Sequence, residues 1–214
     1  TKAKDVPFSK LPNNFVVKAT HASSYNLIVT NKNKLDINKT KTVFNKWLQK
    51  NQYYRMGQEW AYKDVEPRLL VEKTLIEEGK CSLTDYKFYC FNGVVKFADV
   101  HLERDTNHQQ GCYDIDFNLL PFRKKSKNKD IVSTIEKPSN YSEMIKLSEK
   151  LAENFPFVRV DFYSINGNAI FGEMTFYPSD GRKDFYPDKY NKIIGDYFEL
   201  PELKKGQKVI TNFN

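Results

Sequence analysis

The chain has 214 residues, with 34 Lys and Arg against 27 Asp and Glu for a net charge of +7, and 40% of it is hydrophobic and 14% aromatic. That content excludes a disordered chain and supports one large domain or two small lobes sharing a core. No apolar run approaches the roughly 20 residues of a membrane helix, no signal-peptide pattern opens the chain, and Cys81, Cys90 and Cys112 have no CxxC spacing. An odd, scattered set of cysteines argues against a disulfide framework or zinc site and for a reducing, cytoplasmic compartment. The positive charge favours anionic partners without choosing among nucleotide, acidic polysaccharide, nucleic acid and lipid.

In chain order, Leu11-Pro12-Asn13-Asn14 leads into a strand over Phe15–Ala19, and a second strand covers Leu27–Thr30. The intervening His21-Ala22-Ser23-Ser24 segment is small and polar. Its backbone can approach a phosphate, with Lys18 at its base supplying charge. An ordinary hairpin loop with a surface lysine is the alternative. Asp36 reads as the N-cap of a helix to Gln49 whose inward stripe is Val43, Phe44, Trp47 and Leu48. Arg55–Lys63 is ambiguous. Further strands cover Arg68–Glu72, Thr84–Phe91 and Val94–Val100, with Asn92-Gly93 as a hairpin turn. Asp85, Lys87 and Tyr89 share one face of their strand.

Leu102–Asn118 reads as irregular and polar, and includes Glu103-Arg104-Asp105-Thr106-Asn107-His108 and Tyr113-Asp114. The basic run Arg123–Lys129 lacks interleaved aromatics, so it reads as a solvated loop and nucleic-acid readout is not indicated. A helix over Ser142–Asn154 turns Met144, Ile145, Leu147, Ser148 and Leu151 inward, and a last helix spans Lys189–Phe198. No histidine (His21, His101, His108) has metal-ligand spacing to another.

The stretch richest in chemistry is the pair Phe157–Tyr163 and Ala169–Phe176 around Asn166-Gly167, both alternating with period two. Arg159, Asp161 and Tyr163 share a face of the first strand, and Phe171, Glu173 and Thr175 share a face of the second. Asp161 and Glu173 are separated by an even number of residues, so a two-residue turn alone would set them on opposite faces. Sharing a face requires an odd loop or a bulge. The expectation is a three-residue loop, Ile165-Asn166-Gly167, with Gly167 left-handed. Carboxylates and an arginine among large apolar residues need partners, and a divalent cation with bound phosphate fits two acids, one Arg and a hydroxyl. An acid-decorated solvent face is the alternative.

The segments Leu11–Lys18 with His21-Ala22-Ser23, Asp85–Gly93, Tyr113-Asp114, Phe155–Asp161 and Phe171–Pro178 together resemble the ATP-grasp superfamily, in its TupA-like polysaccharide-biosynthesis branch. The resemblance implies an α+β ATP-grasp fold, two lobes of antiparallel sheet plus helices clasping a nucleotide. Residues 1–75 would form an N-terminal lobe with the preceding region largely absent, and 76–214 a C-terminal lobe with the metal hairpin. It implies ATP and Mg2+ as cofactors. Lys18, His21, Ser23 and Ser24 would meet the phosphates, Glu72, Lys73 and Leu75 the adenine, and Asp85 the ribose. Asp161, Glu173 and Thr175 would hold the metal, Arg159 and Arg104 would be catalytic, and Lys87, His108 and Tyr113 would face the substrate.

The reaction implied is a carboxylate–amine ligation through an acyl phosphate, on a carboxylate-bearing sugar, uronic acid or amino acid of a surface polysaccharide. Such a protein could associate with membrane-bound polysaccharide machinery. A kinase-like phosphotransferase and a non-catalytic nucleotide- or polymer-binding module are the alternatives.

Overall fold

The computed structural model describes residues 2–55, 57–77, 79, 82–104, 106–200, 202 and 205–206. Thr1, Cys81 and Asp105 lie outside the described residues. The chain divides into two compact units, Thr1–Leu75 and Ile76–Asn214.

In the first unit, β1 (Phe15–Ala19), β2 (Asn26–Val29) and β3 (Leu69–Lys73) form an antiparallel sheet in the order β2-β1-β3. Alternation along β1 buries Phe15, Val17 and Ala19 and turns Val16 and Lys18 to the other face. Phe15 and Val17 pack with Phe8, Val29 and Phe44, the last from helix α1 (Ile37–Leu48). The Asp36 side chain caps α1 by accepting the Lys39 N–H at 2.9 Å. Val43 does not belong to the inward stripe. Thr40, Phe44 and Trp47 set that stripe at helical spacing, and Val43 lies beside it, exposed. A short helix, α2 (Gln52–Arg55), ends where the ambiguous stretch begins, and that stretch contains a single 3-10 turn, Trp60–Tyr62.

The second unit is built on a six-stranded sheet. Its strands are β4 (Asp85–Phe91), β5 (Val94–Leu102), β6 (Gln109–Tyr113), β8 (Lys129–Asp130), β9 (Phe157–Ile165) and β10 (Asn168–Thr175), in the order β10-β9-β4-β5-β6-β8. All neighbours are antiparallel except β6 and β8. Two corrections arise here. The segment expected to be irregular contains β6. The basic run is no free loop either, because β8 pairs with β6 while β7 (Arg123–Lys124) pairs with β11 (Phe185–Tyr186).

One face of this sheet carries Tyr86, Phe88, Cys90, Ala98, Val100, Val158, Val160 and Phe162 against helix α3 (Tyr141–Ala152). Tyr141, Met144, Ser148 and Ala152 of α3 are buried, whereas Leu151, expected inward, is 39% exposed. The other face is divided. At one end Tyr89, Phe91, Phe97 and Cys112 pack under Phe122, from beside β7, and Ile194 of helix α4 (Lys189–Gly195). At the other end the same strands carry charge. Among the described residues no helix is long and apolar enough to cross a membrane.

Candidate functional site

The charged half-face is laid out by register. Asp161 of β9 stands opposite Lys87 of β4, and Lys87 opposite Asp99 of β5. One step along, Tyr163, Asp85 and His101 align in the same way. Period-two alternation therefore gathers residues from three strands onto one surface, the reverse of the apolar face against α3.

Glu173 stands opposite Asp161, and Thr175 opposite Arg159. The parity is corrected by a bulge, not by the turn. Ile165 pairs with Asn168, leaving a two-residue turn with Asn166 at φ 51° and Gly167 at φ 76°, both left-handed. The register then shifts between Phe171 and Glu173, leaving Gly172 as the extra residue. This overturns the three-residue loop and the single face expected for Phe171, Glu173 and Thr175. Phe171 stands opposite Phe162 on the core side, while Ile170 stands opposite Tyr163 on the charged side. Gly172 is required for close approach, since a Cβ there would sit 3.0 Å from the Asp161 carbonyl oxygen.

Arg159 is the hub. Its Nε donates to Asp161 Oδ1 at 2.6 Å and its Nη2 to Asp161 Oδ2 at 2.7 Å, a bidentate fork. The same Nη2 reaches Glu173 Oε1 at 3.0 Å and Thr175 Oγ1 at 2.9 Å. Burial pushes the Asp161 carboxyl upward, but Arg159 and Lys87 together outweigh it and hold the group below the usual carboxylate range. Lys87 Nζ lies 2.6 Å from Asp161 Oδ2 and 2.7 Å from Asp85 Oδ2, which also accepts from Arg104 Nη1 at 2.7 Å. Asp85 is 1% exposed, and among the described residues its Oδ1 has no hydrogen-bond partner.

Oxygens of Asp161, Glu173 and Thr175 thus surround a single nitrogen. As a donor set they fit a hard cation that keeps phosphate and water oxygens in its remaining positions. Among the described residues no group of three or more His, Cys, Asp or Glu is placed to hold a metal ion by itself.

Two substrate-side expectations change. Tyr113 stands opposite Ala98 on the core side, stacks on Phe117 at 4.6 Å and is 3% exposed, so it packs the interior. His108 does lie by the charged face, but its partner is a histidine that the sequence reading left out: His101 Nδ1 is 2.8 Å from His108 Nε2. Asp99 lies within the expected strand Val94–Val100, whereas His101 falls just beyond its end. With β5 continued to Leu102, both fall on the Lys87 face.

Beside Arg159 the charge gives way to a cavity of about 500 Å3 lined by Tyr89, Phe157, Phe176, Tyr177, Phe185 and Lys124, among others. Burial lowers the Lys124 amine to about 8, against an opposing pull from Asp99. From pH 8 to 10.5 the unfolded chain would hold a proton that the folded chain lacks, so this group makes stability rise with pH there. Lys124→Met should raise the urea midpoint at pH 7 and remove that rise, as unfolding curves at pH 7, 8.5 and 10 would read.

In the first unit, Lys18 and Glu72 lie on the open face of the sheet and pair at 2.6 Å. Both are well exposed, so the pair adds little stability and is readily exchanged. Ser23 and Ser24 are exposed, with Ser24 at φ 66°. His21 is a correction. It is 1% exposed with Nε2 2.9 Å from the Trp47 carbonyl oxygen, so it anchors the loop to α1 instead of facing a ligand. Arg55 holds the loop from outside, its guanidinium 4.6 Å from the Tyr25 ring centroid. Lys73 and Leu75 are exposed at the end of β3.

Among solved structures, D-alanine–D-alanine ligase from Bacillus anthracis is similar over 85% of this chain, with 18% identity and a TM-score of 0.43. The match covers 49% of that enzyme, so this chain spans about half its length. No curated protein matches the sequence. The family model described as TupA-like ATPgrasp matches residues 1–199, nearly the whole length, and the chain belongs to the TupA-like ATP-grasp family.

Proposed function

We propose that the protein is an ATP- and Mg2+-dependent carboxylate–amine ligase that activates its substrate as an acyl phosphate and modifies a sugar or uronic acid of a surface or capsular polysaccharide. Family membership supports ATP chemistry. The observation that carries the site is the convergence of Asp161, Glu173 and Thr175 on Arg159 Nη2. Those three would hold Mg2+ together with phosphate oxygens of ATP. The ion, when bound, would neutralise charge on the transferring phosphoryl group.

Arg159 would stabilise the phosphoryl group and then the oxyanion formed at the activated carboxyl carbon. Arg104, held by Asp85, would add positive charge at the neighbouring edge. In the first unit Lys18, Ser23 and Ser24 would meet phosphates, with Glu72, Lys73 and Leu75 at the adenine. Asp85 would reach the ribose. The aromatic walls of the cavity suit the C–H face of a sugar ring, and Lys124 and Lys183 offer charge to a carboxylate. Its partners would be ATP and such a carboxylate, without nucleic acid, at the cytoplasmic side of membrane-bound polysaccharide machinery.

The test is incubation with ATP, Mg2+ and a panel of uronic acids and amino acids, using hydroxylamine to trap acyl phosphate as a hydroxamate. Asp161→Asn should lower the rate about 10²–10³-fold, the usual loss for one electrostatic contact to the transition state, and Glu173→Gln should lower it too. Full activity in both variants would refute the metal assignment, and a stable phosphate ester as product would point to a kinase.

A further inference from the structure

The positive charge of the chain is not spread evenly. Residues 1–50 hold ten lysines, no arginine and two acids, Asp5 and Asp36, for a net charge of +8, so of the total of +7 the remaining residues carry −1. Lys18 belongs to the open face of the first sheet, where it pairs with Glu72. Most of the others lie on or beside α1, which packs on the opposite face of that sheet through Phe44.

Lys39, Val43, Lys46 and Lys50 follow one another at intervals of four, three and four residues, Lys50 just beyond the end of α1. That spacing lines them up along one stripe of roughly 16 Å, and all four are exposed. Lys41 lies on the other flank, its Nζ 6.0 Å from the ring centroid of Phe8, which stacks on Phe44. That contact brings the segment bearing Lys4 and Lys10, both exposed, alongside the helix. Lys34, exposed in the 3-10 turn before Asp36, adds charge at the start of α1.

The fold of the unit does not account for this set. Beyond its Asp36 cap, α1 has no acid in the first turn, where the helix dipole favours one, and carries Lys39 there instead. Among the described residues none of Lys34, Lys39, Lys41, Lys46 and Lys50 is in an ion pair. Like charges so arranged repel one another and are relieved by a negative partner. Two features select that partner. Every basic group here is an ammonium, a point charge, and no guanidinium is present to fork onto a single phosphate or carboxylate. The exposed apolar side chain among them is the aliphatic Val43, whereas Trp47, whose ring could stack on a base, is already stacked on Tyr25 at 5.5 Å.

We propose that the outer face of α1 docks on an anionic lipid bilayer, with Lys39, Lys46 and Lys50 against the headgroups and Val43 at their level. Because α1 and Lys18 lie on opposite faces of the first sheet, docking leaves Lys18 and Glu72 open.

The test is co-sedimentation of the full chain, without nucleotide or substrate, with vesicles of phosphatidylcholine alone and with one-third phosphatidylglycerol. Binding should require the anionic lipid and disappear near 1 M salt, where the screening length is about 3 Å. Replacing Lys39, Lys46 and Lys50 together by Gln should weaken it about 10²-fold, at about fivefold for each lysine near such a surface. The melting temperature of that variant should hold or rise, since the groups removed repel one another. Replacing Lys127, Lys146 and Lys150, exposed on the second unit, removes the same charge and should leave binding nearly unchanged. No binding to the anionic vesicles, equal losses in the two triple variants, or tighter binding to single-stranded RNA or polygalacturonate at the same salt would overturn the lipid assignment. No ATP enters this assay, so its failure leaves the ligase reading standing, and absence of ligase activity leaves the docking surface standing.

Discussion

Replacing Arg159 by Met should destabilise the second unit by about 3–5 kcal/mol, the cost of leaving one member of a buried ion pair unpaired. Asp161 is 3% exposed and, among the described residues, would keep Lys87 as its cationic partner. The pH dependence is a separate signature. A carboxyl held below its ordinary value stabilises the fold above the unfolded-state pKa, and that stability disappears as pH falls through the folded-state value. In wild type, acid below about pH 4 therefore erodes the Asp161 contribution. Arg159→Met should be unstable already at pH 7 and lose less on acidification, since the largest attractive partner of the carboxyl has gone. Adding Asp161→Asn should recover part of the loss, with a coupling of about 0.5–3 kcal/mol. Urea unfolding of the four proteins of this cycle measures it. An additive cycle would mean that the fork contributes no specific pairing. Turnover should be lost in every variant lacking Arg159, including the stabilised double variant.

Gly172→Val should act through the backbone. The new Cβ would meet the Asp161 carbonyl oxygen at 3.0 Å and the Tyr163 ring at 3.5 Å. Overpacking of this kind costs about 1–3 kcal/mol. Relief by straightening β10 would bring residue 172 opposite Asp161 and turn Glu173 toward the core. Calorimetry with a non-hydrolysable ATP analogue and Mg2+ should show a large loss of affinity, together with a lowered melting temperature. Deleting Gly172 removes the bulge yet keeps Glu173 opposite Asp161. That variant should bind better than Gly172→Val, although it is the more drastic change. The opposite ranking would show that parity is not what the bulge provides.

The hairpin also shows how far the sequence could be read. Alternation placed Arg159 and Asp161 on one face, and parity required an extra residue before Glu173, because both follow from the two-residue period of a strand. Its position was harder to see. Asn166-Gly167 is so strong a turn signal that it drew the extra residue to itself, while the isolated Gly172 was the better marker, as a glycine within a strand often accompanies a bulge. Gln109-Gln110-Gly111 carries little strand propensity, so β6 was overlooked and Tyr113 had no assigned face. His21 read as a loop residue, whereas its burial depends on the distant Trp47 carbonyl. The cavity combines side chains from β4, β7, β9, β11 and α4, and no local pattern announces such an assembly.

Lys87 has one further consequence. Its ammonium stands between Asp85 and Asp161, at 2.7 and 2.6 Å, and serves as a built-in counter-ion. If Asp161 takes a divalent ion as proposed, that uptake would be an exchange of one cation for another, in which an existing pair must loosen as the new one forms. Such an exchange would gain little by itself and more once a polyanion arrived to take up the displaced ammonium. Nucleotide and metal would then bind together, and neither would hold well alone.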